Sequence, residues 1–525
     1  MIDAKPSNLH LPTSGSDFTR TISPRMSSAV LARNATLNLL TEGFLFVILV
    51  VSTPFLVARL GVQSFGLYAL AWSLIGYLAY LEFGVSRSAT QFVSKYLSQE
   101  NRASVLQAAT TSILSNLLIG LGCGIVVLLL TPMMVRRAFH IPLELEGQAR
   151  LVFYSVALAV PLVMLQAVFR AIAASYQAFG KINLVNAAGT ALQYALACLL
   201  AWRGFGVGAV VFSTVIIRLA FLVCYAILAF HLLPGLLRLT DFDRNELRTL
   251  FRFGGWVTAS QLVLQMLMYL DRILLASLVS LSAVTLFIVP FEALTRLRVI
   301  PASVMATVYP AMTEATVEPG RGKLQALYEN SVRYLLFLLL PLICFLAVFG
   351  KDLLTLWMGA AFAAKSAIVF EILAVGFLLN SLAYVSYHAI QAVERPGIVG
   401  KYHLVALPFY VGLSFVLVYR WGIAGAAVAA SVRFGLDAVV LFWVARQYAG
   451  CSMLFVRGSN TLRIILLGAV LAAVFVAARF TVTSPWLRFS LGLFGIGSYF
   501  LLAWRFLLTS REKPALVRAL GLSRI

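Results

Sequence analysis

Long apolar runs dominate this chain, and polar residues gather in the stretches between them. A helix rises 1.5 Å per residue, so about 20 apolar residues cross the hydrocarbon core of a bilayer. Runs of that length fall at residues 36–58, 64–83, 107–131, 150–174, 182–202, 207–233, 253–279, 283–309, 331–350, 366–391, 402–420, 424–446, 461–479 and 487–508. The pattern predicts an all-α polytopic membrane protein with about 14 transmembrane helices. None of the external connections between these runs is long enough to hold a catalytic domain.

Composition agrees with that pattern: 61% of residues are hydrophobic and 12% charged, and the mean hydropathy is +0.92. A soluble enzyme is excluded on this ground. The net charge of +21 would suggest nucleic acid in a soluble protein. Here most Lys and Arg lie between spans, where the positive-inside rule puts them, so no nucleic-acid partner is expected. With the N-terminus inside, about 25 basic residues fall on cytoplasmic segments and about 10 on external ones, which places both termini in the cytoplasm. Connections 84–102, 236–252 and 312–329 are long enough for short amphipathic helices on the inner surface. Residues 1–30 carry Pro6, Pro12, Ser14, Gly15 and Ser16 without the apolar run of a signal peptide, and read as a disordered cytosolic tail. Cys123, Cys198, Cys224, Cys344 and Cys451 have no metal-type spacing.

Shifting the chain by about 214 residues lays Gln177-Ala178 over Gln391-Ala392, Lys181 over Arg395, and Leu184-Val185 over Ile398-Val399. Gly206-Val-Gly208 likewise meets Gly422-Ile-Ala-Gly425 after a small gap, and Phe65-Gly-Leu-Tyr68 overlays Val284-Thr-Leu-Phe287. These matches divide the chain into a six-helix half at 31–235, a cytoplasmic linker at 236–252, a second half at 253–450, and two extra helices with a basic tail at 451–525. In transporters built from parallel repeats the substrate site lies between the halves.

Charges inside the spans are the candidate chemistry. A charge at mid-bilayer costs about 2.5 kcal/mol or more, so such residues face protein or a watery cavity. Arg170, Arg218, Arg272, Arg296, Arg298 and Arg433 are the cations, and Glu42, Asp271, Glu292, Glu371 and Asp437 the acids. Cations in a cavity suit an anionic cargo, and guanidinium is well matched to phosphate. Arg170, Arg218, Arg272 and Arg296 are accordingly the candidate substrate-binding residues. Arg296 and Arg298 stand about 200° apart on a helix, so only one faces the lumen, and Arg296 is the choice. Glu292 with Arg296, and Arg433 with Asp437, have i, i+4 spacing and can neutralise each other. Asp271 and Arg272 are about 100° apart, so one can face the cavity while the other supports a neighbouring helix. Glu42 and Glu371 lack an adjacent base, and are either protonated or paired across helices. The five acids are candidates for carrying a proton or sodium ion, or for structural pairing. Pro54, Pro161, Pro290, Pro301, Pro341 and Pro408 mark bends.

The stretches Leu60-Gly-Val-Gln-Ser-Phe-Gly-Leu-Tyr68, Leu81-Glu-Phe-Gly-Val-Ser-Arg-Ser-Ala89, Gln177-Ala-Phe-Gly-Lys181 and Tyr269-Leu-Asp-Arg-Ile-Leu-Leu275 follow in order along the chain. Together they resemble the polysaccharide flippases of the multidrug/oligosaccharidyl-lipid/polysaccharide exporter superfamily. The resemblance runs from about residue 30 to about 450 and weakens past residue 460. It implies two pseudo-symmetric six-helix bundles arranged as a V around a central cavity. It also implies transport of undecaprenyl-diphosphate-linked oligosaccharide units across the bacterial cytoplasmic membrane. The partners implied are that lipid-linked oligosaccharide, membrane lipids, and a polysaccharide polymerase with its chain-length machinery. No cofactor is expected beyond coupling to a proton or sodium gradient.

Other readings have distinct marks. A drug or cation extruder of the same superfamily would favour a cavity dominated by acids, whereas six intramembrane arginines here face five acids. A lipid II flippase would share the span number and the cations. A membrane glycosyltransferase or ligase would need a sizeable extramembrane loop with acids or His. His140 and His388 are isolated and read as structural. No G-x-x-x-x-G-K-[ST] loop occurs, which speaks against ATP-driven export within this chain.

Overall fold

The computed structural model describes residues 28–82, 84–236, 248, 263, 265–317, 322–452 and 459–506, which are helical almost throughout and include no strand. Most of the N-terminal tail, most of the 236–252 linker, the beginning of the seventh span and the basic tail after residue 506 lie outside the described residues. The helices are α1 (Ser28–Leu60), α2 (Val62–Ala79), α3 (Val85–Ser98), α4 (Arg102–Met133), α5 (Glu146–Ser175), α6 (Phe179–Trp202) and α7 (Val207–Leu232). Then follow α8 (265–278), α9 (Leu281–Thr295), α10 (Val299–Ala315), α11 (Gly322–Met358), α12 (Ala360–Ala392), α13 (Pro396–Val444), α14 (Ser459–Thr481) and α15 (Pro485–Phe506). Among the described residues, 11 helical stretches are long and apolar enough to cross a membrane. The chain is an all-α, multi-pass membrane protein.

Three expected spans take a different form. The run at 283–309 is interrupted: α9 ends at Thr295, a 3₁₀ turn covers Arg296–Arg298, and α10 continues from Val299. The runs at 402–420 and 424–446 join in α13, which breaks its helical backbone at Gly422 (φ 55°, ψ −127°). Only glycine takes such a conformation freely. The expected amphipathic helix after residue 84 is α3, which buries Val85, Ala89, Val93 and Leu97 at four-residue spacing.

Several helices end in one backbone form. Helices α5 and α12 both end in a left-handed residue, Gln177 (φ 57°) and Glu394 (φ 59°). Each is followed by the same closing bonds: Gln177 N–H to Ala174 O at 2.9 Å and Ala178 N–H to Ala173 O at 3.1 Å, against Glu394 N–H to Gln391 O at 2.9 Å and Arg395 N–H to Ile390 O at 3.2 Å. The same turn closes α3 at Glu100 (φ 56°), with Glu100 N–H to Leu97 O at 3.1 Å and Asn101 N–H to Tyr96 O at 3.1 Å.

The joint that positions the site is the contact of α2 with α9. A Cβ on Gly66 would lie 1.9 Å from the carbonyl oxygen of Leu281, so only glycine permits this approach. Beside it the Thr285 hydroxyl donates to Val62 O at 2.6 Å. The indole of Trp357 on α11 donates to Val50 O of α1 at 2.7 Å. Helices α14 and α15 attach to α11 and α12 through Arg479 with Glu371 at 3.0 Å and Arg488 with Asp352 at 3.1 Å. Phe475 and Phe489 pack edgewise on Phe345 at the same contact.

Candidate functional site

A cavity of about 300 Å³ opens where α1, α2, α6, α7, α8, α9 and α11 meet. That volume lies at the lower end of small-ligand pockets, about 300–1,000 Å³. Three arginines line it, Arg218, Arg272 and Arg296, together with one acid, Glu292. Aromatic rings of Tyr68, Trp72, Tyr194, Tyr269 and Trp357 form much of the rest.

Arg218 reaches the cavity from α7. Its guanidinium lies 5.2 Å from the Trp72 ring centre and 5.7 Å from that of Phe221, and donates to Gln166 Oε1 at 3.4 Å. The amide of Gln166 in turn donates to the Arg218 carbonyl, so the residue is gripped at both ends. Its Nε is buried without a hydrogen-bond partner, and no carboxylate pairs with it among the described residues.

Arg272 comes from α8 and is 5% exposed. It donates to Ser73 Oγ at 3.1 Å and to Glu292 Oε1 at 2.8 Å, while its guanidinium lies over Tyr269 at 5.0 Å and Phe291 at 5.5 Å. Ser73 can accept because its own proton goes to Ala69 O at 2.8 Å. One side chain thus ties α8 to α2 and α9. The expected i, i+4 pairing of Glu292 is replaced by this one across helices. Arg296 is consequently left without a carboxylate partner among the described residues, and its Nε is buried without a hydrogen bond. Three cations against one carboxylate leave the lining with a positive surplus, concentrated on the unpaired Arg218 and Arg296.

The other charges lie elsewhere. Arg170 is exposed on α5 and is not part of the cavity lining. Arg298 is exposed and borders a separate small pocket with Phe377 and Phe434. Asp271 is buried behind α8, where Tyr410 Oη donates to Oδ1 at 3.0 Å and to Oδ2 at 2.8 Å. Arg433 and Asp437 approach to 3.6 Å, and the same carboxylate accepts from Tyr402 Oη at 2.9 Å with His403 Nε2 at 3.7 Å. Arg433 also lies 5.3 Å from the Tyr410 ring, which joins these groups into one buried cluster. Glu371 is paired across helices with Arg479. The side chain of Glu42 lies outside the described residues. His388 rests among Tyr309, Tyr384 and Tyr387.

Sequence reasoning missed Tyr402, His403 and Tyr410, which read as ordinary residues of an apolar span, and the polar residues Thr190, Gln193 and Tyr194 on the cavity wall. Spacing was the available signal for the last three, since i, i+3 and i+4 share one helix face.

A family model described as polysaccharide biosynthesis protein matches residues 56–367. The protein of Shigella flexneri named "Putative O-antigen transporter" is 24% identical over 414 residues, which cover 78% of this chain and 97% of that protein. The Bacillus subtilis membrane protein EpsK, uncharacterized by its name, is 24% identical over 395 residues, 71% of this chain and 75% of that one. Among solved structures, the lipid II flippase MurJ in an inward closed conformation superposes with a TM-score of 0.70 at 12% identity, covering 90% of this chain and 99% of MurJ. An inward-facing multidrug resistance MATE transporter superposes with a TM-score of 0.66 at 16% identity, covering 79% and 98%. At such identities the superpositions establish a shared fold.

Proposed function

The chain belongs to the family of polysaccharide biosynthesis proteins, and from that membership we propose that it is a flippase for undecaprenyl-diphosphate-linked oligosaccharide units. It acts in the bacterial cytoplasmic membrane with both termini in the cytoplasm, and hands its cargo to a polysaccharide polymerase. The observation that carries this reading is the cation surplus of the cavity, in which Arg218 and Arg296 have no carboxylate partner among the described residues.

Guanidinium groups inside a low-dielectric cavity attract a diphosphate strongly, because charge-assisted hydrogen bonds there are poorly screened. Arg218 and Arg296 offer free donors to the phosphate oxygens. Arg272 enters on different terms, since a diphosphate must compete with Glu292 for it. That competition loosens the tie between α8 and α9 within the second half, beside the bond by which Arg272 holds Ser73 of the first half, and so links cargo binding to the contact between the halves. The buried Asp271, Arg433 and Asp437 cluster is the candidate for coupling to a proton or sodium ion. A carrier of organic cations, the rival reading suggested by the MATE fold, would work against the same surplus.

Binding of undecaprenyl diphosphate and of tetraphenylphosphonium to the purified protein separates the two. Tight binding of the diphosphate and none of the cation is expected; the reverse result overturns the proposal.

A further inference from the structure

The cavity lining combines cations with uncharged polar side chains. Beside the arginines, α6 presents Thr190, Gln193 and Tyr194 to it, at i, i+3 and i+4 and so on one face of the helix. None of the three makes a hydrogen bond among the described residues, although Gln193 is only 7% exposed. The outward side of the same helix carries Leu184, Leu192 and Leu199, which are exposed and suited to lipid. Polar groups turned inward in a membrane-spanning helix, with no hydrogen bond among the described residues, suit a ligand. The wall is also fixed in place: a Cβ on Gly189 would fall 2.0 Å from the Phe221 ring, so α6 seats directly on α7 one residue from Thr190 and beneath the Arg218 guanidinium.

We propose that this face of α6 reads the first sugar attached to the lipid diphosphate, with Gln193 and Thr190 exchanging hydrogen bonds with its hydroxyls and Tyr194 packing against its ring. The inference rests on the flippase reading above and deepens it by assigning the saccharide. Neutral donors and acceptors suit hydroxyls, which are both donors and acceptors. The negative face of an aromatic ring suits the polarised C–H groups of a sugar. Cations and neutral polar groups side by side in one cavity match a molecule that is anionic at one end and hydroxyl-rich at the next. A cavity of about 300 Å³ holds that junction and leaves the outer part of the glycan unread.

The test measures affinities of the full-length protein in nanodiscs for undecaprenyl diphosphate, and for the same lipid bearing one glucose, galactose or N-acetylglucosamine. At least one glycosylated probe is expected to bind about tenfold more tightly than the bare lipid, or about 1.4 kcal/mol. Gln193→Leu and Tyr194→Ala each reduce that preference to threefold or less, while the bare lipid binds within twofold of the unaltered protein. Tyr194→Phe, which keeps the ring, keeps the preference and guards against misfolding. If wild-type protein binds the bare lipid but gains nothing from any sugar, or if the variants weaken all probes equally, this inference falls and the flippase reading stands. If wild-type protein binds none of the four lipids, both fall.

Discussion

Asp271 and Arg272 follow one another in α8 yet serve opposite sides of it. Asp271 accepts both of its short hydrogen bonds from Tyr410 in a buried cluster, whereas Arg272 turns into the cavity and pairs with Glu292 at 2.8 Å. A helix turns about 100° per residue, so a displacement of α8 caused on one side is felt on the other without any intermediary. The same helix therefore touches the proposed cargo site and the proposed coupling site.

Asp271→Ala is expected to leave undecaprenyl diphosphate binding within about twofold, because the residue does not reach the cavity. Transport is expected to fall at least tenfold. Paired binding and transport measurements on one preparation check this; an equal loss in both would show that Asp271 acts only by holding the fold.

Arg218→Ala and Arg272→Ala are expected to differ in kind. Arg218 has no carboxylate partner among the described residues, so its removal weakens diphosphate binding by about 2 kcal/mol, roughly thirtyfold, with little change in thermal stability. Removing Arg272 strands Glu292 and breaks a tie among α2, α8 and α9. Loss of one partner of a buried pair costs about 3–5 kcal/mol, reduced here because Glu292 is 34% exposed. A melting temperature that falls for Arg272→Ala and holds for Arg218→Ala, read by fluorescence in detergent, is the expected pattern.

Glu292→Gln releases Arg272 from its counterion and keeps the shape of the side chain. Diphosphate affinity is expected to rise by about threefold to tenfold, on the order of 1 kcal/mol, while turnover slows because cargo no longer competes for Arg272. Titration of the variant with undecaprenyl diphosphate reads the first effect, and unchanged affinity would remove Glu292 from the account.

Gly66→Ala places a methyl group 1.9 Å from the Leu281 carbonyl oxygen. Backbone on both sides must give way, and overpacking of this kind costs about 1–3 kcal/mol. A lower melting temperature with loss of transport is expected; Gly43→Ala, where a Cβ meets nothing within 4 Å, serves as the control.

Spans were legible because each must satisfy its backbone within itself, which forces long apolar runs that any reader can count. The breaks within them were less so: the 3₁₀ turn at Arg296–Arg298 contains no proline or glycine, and the join at Gly422 depends on a backbone angle. Of the four arginines expected to line a cavity, Arg218, Arg272 and Arg296 are brought together, and Arg170 is not. Position along a span fixes depth but not direction, and direction is decided by which helices pack nearby. For the same reason Glu292 was matched with Arg296, its neighbour on one helix face, when the closer partner was Arg272 across the interface. Arg433 and Asp437 share a helix face and do approach each other. Thr190, Gln193 and Tyr194 went unnoticed because uncharged polar residues are common in spans, and only the cavity marks them.

Leaflet-resolved transport of an undecaprenyl-diphosphate oligosaccharide in proteoliposomes tests the central claim most directly, with wild type, Arg218→Ala and Arg170→Ala compared. The account predicts that wild type and Arg170→Ala move the lipid between leaflets and that Arg218→Ala, folded to the same melting temperature, does not. Transport by Arg218→Ala at the wild-type rate, or expulsion of an organic cation in place of the lipid, would contradict it.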